Sequence, residues 1–288
     1  MDERTQLLVR LMHCRGTSGR FVKRLLREDP LLRNVSELSV AELVDRFGIG
    51  QTTAVDFVAD YRRLDGRSLV NYYASRHIRA IGLHESSYPP LLREIYDPPP
   101  VLYVAGQTAT FMSEKMLAVV GTRRPSAEAA KILERLLVPL LEAGWTIVSG
   151  MAVGIDGMAH RLALPYRTIA VLGSGHFHPY PQAHVKLFQQ MCHSQTVISE
   201  YAPAEPPARW RFPARNRLIS GLSRGTLVVE AKARSGALIT ADQAIDQGRE
   251  VFAVPGSLLD PNTAGTHALI QQGAKLVTCA EDILEELS

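Results

Sequence analysis

The sequence is poor in the residues and patterns that mark several large classes of protein. Only three of its 288 residues are cysteines, and Cys14, Cys192 and Cys279 are far apart, odd in number and outside any CxxC pair. Neither a disulfide framework nor a zinc ribbon is expected, and a reducing, cytoplasmic setting fits that usage. No apolar run approaches the roughly 20 residues that span a bilayer, so no transmembrane helix and no membrane partner are expected. The N-terminus opens MDERTQ and lacks the apolar stretch of a signal peptide. There is no GxSxG elbow, no HExxH and no evident Cys/His pairing, and the GxGxxG spacing of a dinucleotide fingerprint is missing. No catalytic residue and no cofactor is therefore expected, and no internal repeat is visible.

What is present is a globular composition, 46% hydrophobic and 21% charged, in a chain long enough for one to three domains. The net charge of +3 is mild, but it is unevenly spread. Seven basic residues fall between Arg209 and Arg234 (Arg209, Arg211, Arg215, Arg217, Arg224, Lys232 and Arg234) against one acid, Glu230. Such a run is either a solvated charged face or a phosphate-binding surface. Trp210 and Phe212, interleaved with the arginines, favour the second reading, because nucleobases stack on such rings.

Residues 1–66 carry apolar residues at spacings of three and four, which predicts a small all-α domain. Within it Phe47-Gly48-Ile49-Gly50 reads as a hairpin between two helices, either a helix-hairpin-helix that holds a phosphate or an ordinary packing unit. Residues 67–107 read as a proline-rich connector closed by a strand, VLYVAG (101–106). From 108 to 288 short apolar strands alternate with amphipathic helices: MLAVVG (116–121), TIVSG (146–150), RTIAVLG (167–173), TVISEY (196–201), TLVVEA (226–231) and EVFAVPG (250–256). Pro139 is expected to kink or split the helical pattern over 127–144. The alternation predicts an α/β fold, a Rossmann-like, doubly wound, mostly parallel sheet covered on both faces.

In that architecture ligands bind beyond the C-terminal ends of the strands. The turn Gly121-Thr122-Arg123-Arg124 suits a phosphate, as glycine lets backbone approach and the next helix start offers free amides. Gly150 and Gly154 suit the same task, while Asp156 either caps the following helix or hydrogen-bonds a ligand. Lys232, Ser235 and Gly236 form another basic turn at a helix start. His176, His178 and His184 invite a metal reading, but no clustered cysteine or acid completes a ligand set, so no metal is expected. Several such turns on one sheet edge make a longer positive groove than a single small nucleotide needs.

The motif string from about residue 86 to 277 resembles the DprA/Smf family of bacterial DNA-processing proteins. It is carried by YPPLLREIYDPPPVLYVAG, AVVGTRR, TIVSGMAVGIDGMAH, TIAVLGSG, ISEYAP, FPARNRLISGLSRGTLVVEA, RSGALITADQAIDQGREVFAVPGS and GTHALIQQGAKLV. The helical N-terminal piece is similar to the sterile-alpha-motif-like domain that precedes the core in many members. The resemblance implies a non-enzymatic, homodimeric protein that binds single-stranded DNA and helps load the RecA recombinase during natural transformation. It assigns phosphate contacts to Arg123 and Arg209, base stacking to Phe212, and turn positions lining the groove to Gly121, Gly150, Gly154 and Gly173. Arg215, Asn216 and Arg217 belong to the same signature, as do Ser235 and Gly236. Ile270 and Leu276 match apolar positions of the family's dimer contact, and are otherwise ordinary core.

The chain departs from the family's usual pattern at Thr122, Val153 and Gln182; the last two are expected to lose or weaken one polar contact each. It ends at EDILEELS, so the winged-helix domain of some members is not expected. The competing reading is an enzyme on the same fold, a nucleotide or nucleoside-monophosphate hydrolase. The PGGxGT turn of those proteins is absent here.

Overall fold

The computed structural model describes residues 2–287; Met1 and Ser288, the outer ends of the expected domain ranges, lie outside it. Two compact units are present: residues 2–88 with 97–104, and residues 89–96 with 105–287.

The first unit is built on five helices: α1 (Glu3–Met12), α2 (Gly19–Glu28), α3 (Val40–Phe47), α4 (Gln51–Arg63) and α5 (Gly66–Ala74). Their starts are written into the sequence. The Asp2, Ser18 and Asp65 side chains accept from first-turn amides, and Ser39 with Glu42 forms a reciprocal capping box. Gly48, in the left-handed region at φ +68°, ends α3, and Gly50 caps α4, so the expected hairpin is present. Phe21 sits edge-on to Phe57 and Phe47 at 5.4 and 5.1 Å in the core of this unit. The helical run continues to Ala74, and β1 (Ile78–Gly82) then lies beside β2 (Val101–Gly106), most of which belongs to this unit. Besides its expected closing strand, the connector expected over 67–107 thus contains most of α5, β1 and a four-residue helix at 90–93, because its prolines fall at 89–90 and 98–100, after β1 has ended.

The second unit begins with α6 (Pro90–Arg93) and continues as β3 (Met116–Val120), α7 (Ala129–Glu142), β4 (Thr146–Ser149), α8 (Ile155–Ala163), β5 (Thr168–Val171), α9 (Val185–Ser194), β6 (Thr196–Ser199), α10 (Arg211–Gly221), β7 (Gly225–Val228), α11 (Gly236–Asp246), β8 (Glu250–Ala253), α12 (Ala264–Gln271), β9 (Lys275–Leu276) and α13 (Glu281–Leu287). The strands lie in the order β6-β5-β4-β3-β7-β8-β9, and every pair is parallel. Residues of β3 through β7 are buried without alternation, as a sheet covered on both faces requires. Leu117, Val119, Ile147 and Leu227 pack on one face against Leu133, Leu137 and Leu140 of α7 and Ile283 of α13. Of the kink or split expected at Pro139, the split does not occur. Helix α7 runs unbroken through it, held by the leucines buried on either side.

The order of the strands fixes where a ligand can enter. From β3 the chain steps outward through β4, β5 and β6, then returns to the other side of β3 as β7 and steps away through β8 and β9. Right-handed crossovers consequently put helices on opposite faces in the two halves, and the turns after β3 and β7 diverge to leave a crevice. Among the described residues, no helix is long and apolar enough to cross a membrane.

Candidate nucleic-acid interface

At that crevice the turn after β3 is tied to the end of β7. The Thr122 amide donates to the Glu230 carbonyl at 2.7 Å, and the Glu230 carboxylate accepts from the Ser126 amide and hydroxyl at 3.0 and 2.5 Å. Glu230, the one acid of the basic run, is thereby buried and committed to the turn. Thr122 is buried too, its hydroxyl accepting from the Arg124 amide, which leaves Arg123 and Arg124 exposed.

The turn after β4 is held from within. Asp156 is the second residue of α8, which Gly154 rather than Asp156 caps. Its carboxylate accepts from the Gly150 and Ala152 amides at 3.2 and 3.3 Å, so the residue shapes the turn. Burial pushes its carboxyl up to about 6, against the opposing pull of Arg215 and of those amides. Gly154 sits at φ +85°, and a Cβ there would lie 2.3 Å from the Thr122 carbonyl oxygen. A Cβ at Gly173 would lie 2.7 Å from the Phe212 ring. Those at Gly121 and Gly150 would strike Ile155 and the Arg215 guanidinium. These four glycines make room for the protein's own atoms. Gly236, at the start of α11, is different, because a Cβ there would meet nothing within 4 Å.

Helix α10 sorts its arginines. Arg215, only 4% exposed, donates to the Gly150 carbonyl at 2.7 Å and to the Val171 carbonyl, bridging the ends of β4 and β5. Desolvation lowers its guanidinium to about 10. Arg217 makes a two-pronged ion pair with Glu200 at 2.7 Å on each arm. Asn216 donates to the Gly236 carbonyl, joining α10 to the start of α11, and Ser235 caps α11 through its hydroxyl. Arg215 and Arg217, both of the signature, are thus committed to partners within the protein. Arg215 shares one face of α10 with Leu218, Ile219 and Leu222, which are all buried.

These elements enclose a cleft of about 670 Å³. Of the residues the sequence singled out, Gly121, Thr122, Arg123, Arg124, Asp156, Arg209, Phe212, Arg215, Asn216, Lys232, Ser235 and Gly236 line it. Gly150 borders a smaller adjoining hollow, and Gly154, Gly173 and Arg217 line neither. Arg123, Arg124, Arg209, Lys232 and Arg234 are exposed around the cleft, and among the described residues none of the five has a carboxylate partner. Among the lining residues that were not foreseen, an aromatic and a cation stand out, Tyr180 and Arg234. Tyr180 stands 5.2 Å from Phe212, centroid to centroid, making a two-ring wall. It lies in the HPYPQ turn, where the histidines and Gln182 had drawn attention instead. Arg234 was counted in the basic run but not assigned to the site.

Two of the three histidines serve the backbone. His176 Nε2 lies 3.1 Å from the Val197 carbonyl oxygen and His184 Nδ1 lies 2.9 Å from that of Met151. Among the described residues no group of three or more His, Cys, Asp or Glu is placed to hold a metal. Away from the cleft, Leu276 is 43% exposed on the short edge strand β9, and Ile270 is half-buried on α12.

A family model described as DNA recombination-mediator protein A matches residues 79–288. The DNA processing protein DprA of Bacillus subtilis is 46% identical over 217 residues, covering 75% of this chain and 73% of that protein. That of Streptococcus pneumoniae is 42% identical over 252 residues, 87% of each. The X-ray structure of the S. pneumoniae protein matches with a TM-score of 0.83 at 37% identity, over all of this chain and 99% of that one. A structure of DNA processing protein A from Helicobacter pylori, reported for its single-stranded DNA binding mode, matches with a TM-score of 0.67 at 29% identity, over 73% of this chain and 95% of that one. With the parallel sheet, the cleft at its switch point and the signature residues that line it, these matches establish that the chain belongs to the DNA recombination-mediator protein A family, the DprA/Smf proteins of DNA processing.

Proposed function

We propose that the cleft binds single-stranded DNA along its backbone and that the protein, without catalysing a reaction itself, delivers the strand to the RecA recombinase during DNA uptake. The observation that carries the reading is the set of five exposed cations, none with a carboxylate partner among the described residues, around one cleft. Charges of one sign left uncompensated in a concave site attract a polyanion, and two of them stand on the turn after β3. The α11 start adds the positive end of a helix dipole, and Gly236 leaves space for a phosphate to approach it. Phe212 selects a single strand over a duplex, since only an unpaired base can lay its face on the ring. The single-stranded DNA binding mode reported for the H. pylori relative supports the same assignment. Homodimerisation through Ile270 and Leu276 belongs to this reading and would present two clefts to one strand.

The test is fluorescence anisotropy of labelled oligo-dT at several salt concentrations, with wild-type protein and Arg123→Ala. Affinity should fall with a log–log slope of about −0.7 for each phosphate neutralised, and Arg123→Ala should lower both the affinity and the slope by about one such unit. Affinity that does not change with salt would overturn the reading.

A further inference from the structure

We infer that Trp210 is a second base-stacking platform, outside the cleft, and that it takes the base of a nucleotide beyond the one held at Phe212. The inference rests on the single-stranded DNA reading of the cleft and extends the path of the strand.

The chain contains two tryptophans, and they have opposite environments. Trp145 is 3% exposed in the core beneath α7, whereas Trp210 is 64% exposed. Tryptophan carries a large apolar surface and is highly buried on average, so one left in solvent is informative. Trp210 is also backed on a built support. The Tyr201 ring meets it edge-on at 6.2 Å and 87°. The Arg211 guanidinium stands 4.6 Å from the Tyr201 centroid and 5.3 Å from that of Trp210. Arg211 is itself held by Glu205 and by the Pro206 carbonyl, at 2.6 Å to the latter. The indole is thus positioned before any ligand arrives, and ordering it on binding costs little.

Its place in the chain says what the ligand is. Trp210 caps α10 between Arg209, which lines the cleft, and Arg211; Phe212, two residues on, lines the cleft as well. Side chains two apart at a helix start point in different directions, which is why Phe212 packs over Gly173 and beside Tyr180 while Trp210 rests on Tyr201. Arg209, immediately before Trp210 in sequence, is exposed on the cleft and supplies a cation for the phosphate that joins two stacked nucleotides. An exposed ring flanked by arginines, one step along the chain from a cationic cleft, has the chemistry of a nucleobase contact.

Intrinsic fluorescence tests this directly, because buried Trp145 supplies a constant background. The protein is titrated with oligo-dT and with a base-free phosphodiester oligomer of equal length, and anisotropy of the labelled strands reports binding independently. The expected result is saturable quenching by oligo-dT that follows the anisotropy, is absent from Trp210→Phe and is not produced by the base-free oligomer. Trp210→Ala should bind oligo-dT about tenfold more weakly, within the usual range for one base–aromatic contact, and Trp210→Phe should recover most of that loss. Both variants should bind the base-free oligomer as the wild type does. Bound oligo-dT without quenching, equal quenching by the base-free oligomer, or unchanged affinity in Trp210→Ala would overturn the inference and leave the cleft reading standing. Absence of any binding by anisotropy would overturn both.

Discussion

Arg215 and Gly150 are a matched pair: the guanidinium donates to the Gly150 carbonyl oxygen at 2.7 Å, and a Cβ on Gly150 would lie 2.6 Å from that same guanidinium. The arginine fills the space that the missing side chain leaves, reaches the Val171 carbonyl as well, and feels the negative charge of Asp156 against the cost of its burial. It is the structural keystone of the turns that form the cleft floor.

Removing it should therefore unfold rather than merely unbind. Arg215→Ala leaves the Gly150 and Val171 carbonyl oxygens without their buried donor, and each buried polar group left unsatisfied costs about 1–3 kcal/mol. Arg123→Ala, on an exposed side chain, should leave stability within about 0.5 kcal/mol of wild type. Urea unfolding of both variants checks this, and a stable Arg215→Ala protein would show that the bridge carries little of the fold.

Gly173, beside the aromatic wall, and Gly236, at the α11 start, should respond differently to the same small change. In Gly173→Ala the new methyl meets the Phe212 ring at 2.7 Å, so the ring must move. Oligo-dT binding should weaken several-fold while a base-free oligomer binds normally. In Gly236→Ala the methyl meets no protein atom but enters the space assigned to a phosphate, so both ligands should bind more weakly with stability unchanged or slightly raised. Parallel titrations with the two oligomers separate the two patterns.

Asp156 makes a prediction about pH. Its carboxyl is raised from 3.8 to about 6 by burial, so the folded protein binds that proton more tightly than the unfolded chain does. The associated stability is present in full below pH 4 and is lost as pH rises through about 6. The difference in unfolding free energy between wild type and Asp156→Asn should consequently shift against the wild type between pH 4 and pH 6.5, and level off above. Buried His176 works in the other direction. Desolvation lowers it from 6.5 to about 4, so its contribution is complete above pH 6.5 and is lost as pH falls toward 4. Comparing each variant with wild type across that window isolates the two effects. A difference curve for Asp156→Asn that is flat with pH would refute the assignment.

Much of this arrangement was legible before the fold was known, for physical reasons that also explain the misses. Strands β3 to β8 are continuous apolar runs, most of them closed by glycine, a pattern that buried parallel strands produce and few other elements imitate. Strand β1 hides ahead of a proline cluster, and β9, with two residues, is too short for any periodicity. The turns were found because glycine and arginine gather at strand ends. Which arginines are free was not legible from residue type alone, for Arg123, Arg215 and Arg217 look alike in a charge count. One signal did distinguish them. Arg215 falls on the stripe of Leu218, Ile219 and Leu222, and a charge on the apolar stripe of a helix has to find buried partners. The pairing of Arg217 with Glu200 joins residues from two elements and leaves no local mark.

Glu230 sets two effects against each other. As the one acid in the basic run, it opposes a polyanion, and Glu230→Gln would relieve that repulsion. It also holds the Ser126 amide and hydroxyl, and through them the turn that carries Arg123 and Arg124. The charge-assisted hydrogen bonds are worth about 1.5–3 kcal/mol each, whereas a single charge acting on a solvated phosphate several ångströms away is worth about 1 kcal/mol or less. Positioning should win: Glu230→Gln should lose stability by about 1–2 kcal/mol and bind oligo-dT more weakly despite its more positive site. Tighter binding by a folded Glu230→Gln protein would show instead that the turn keeps its shape without the carboxylate, and that charge alone governs the cleft.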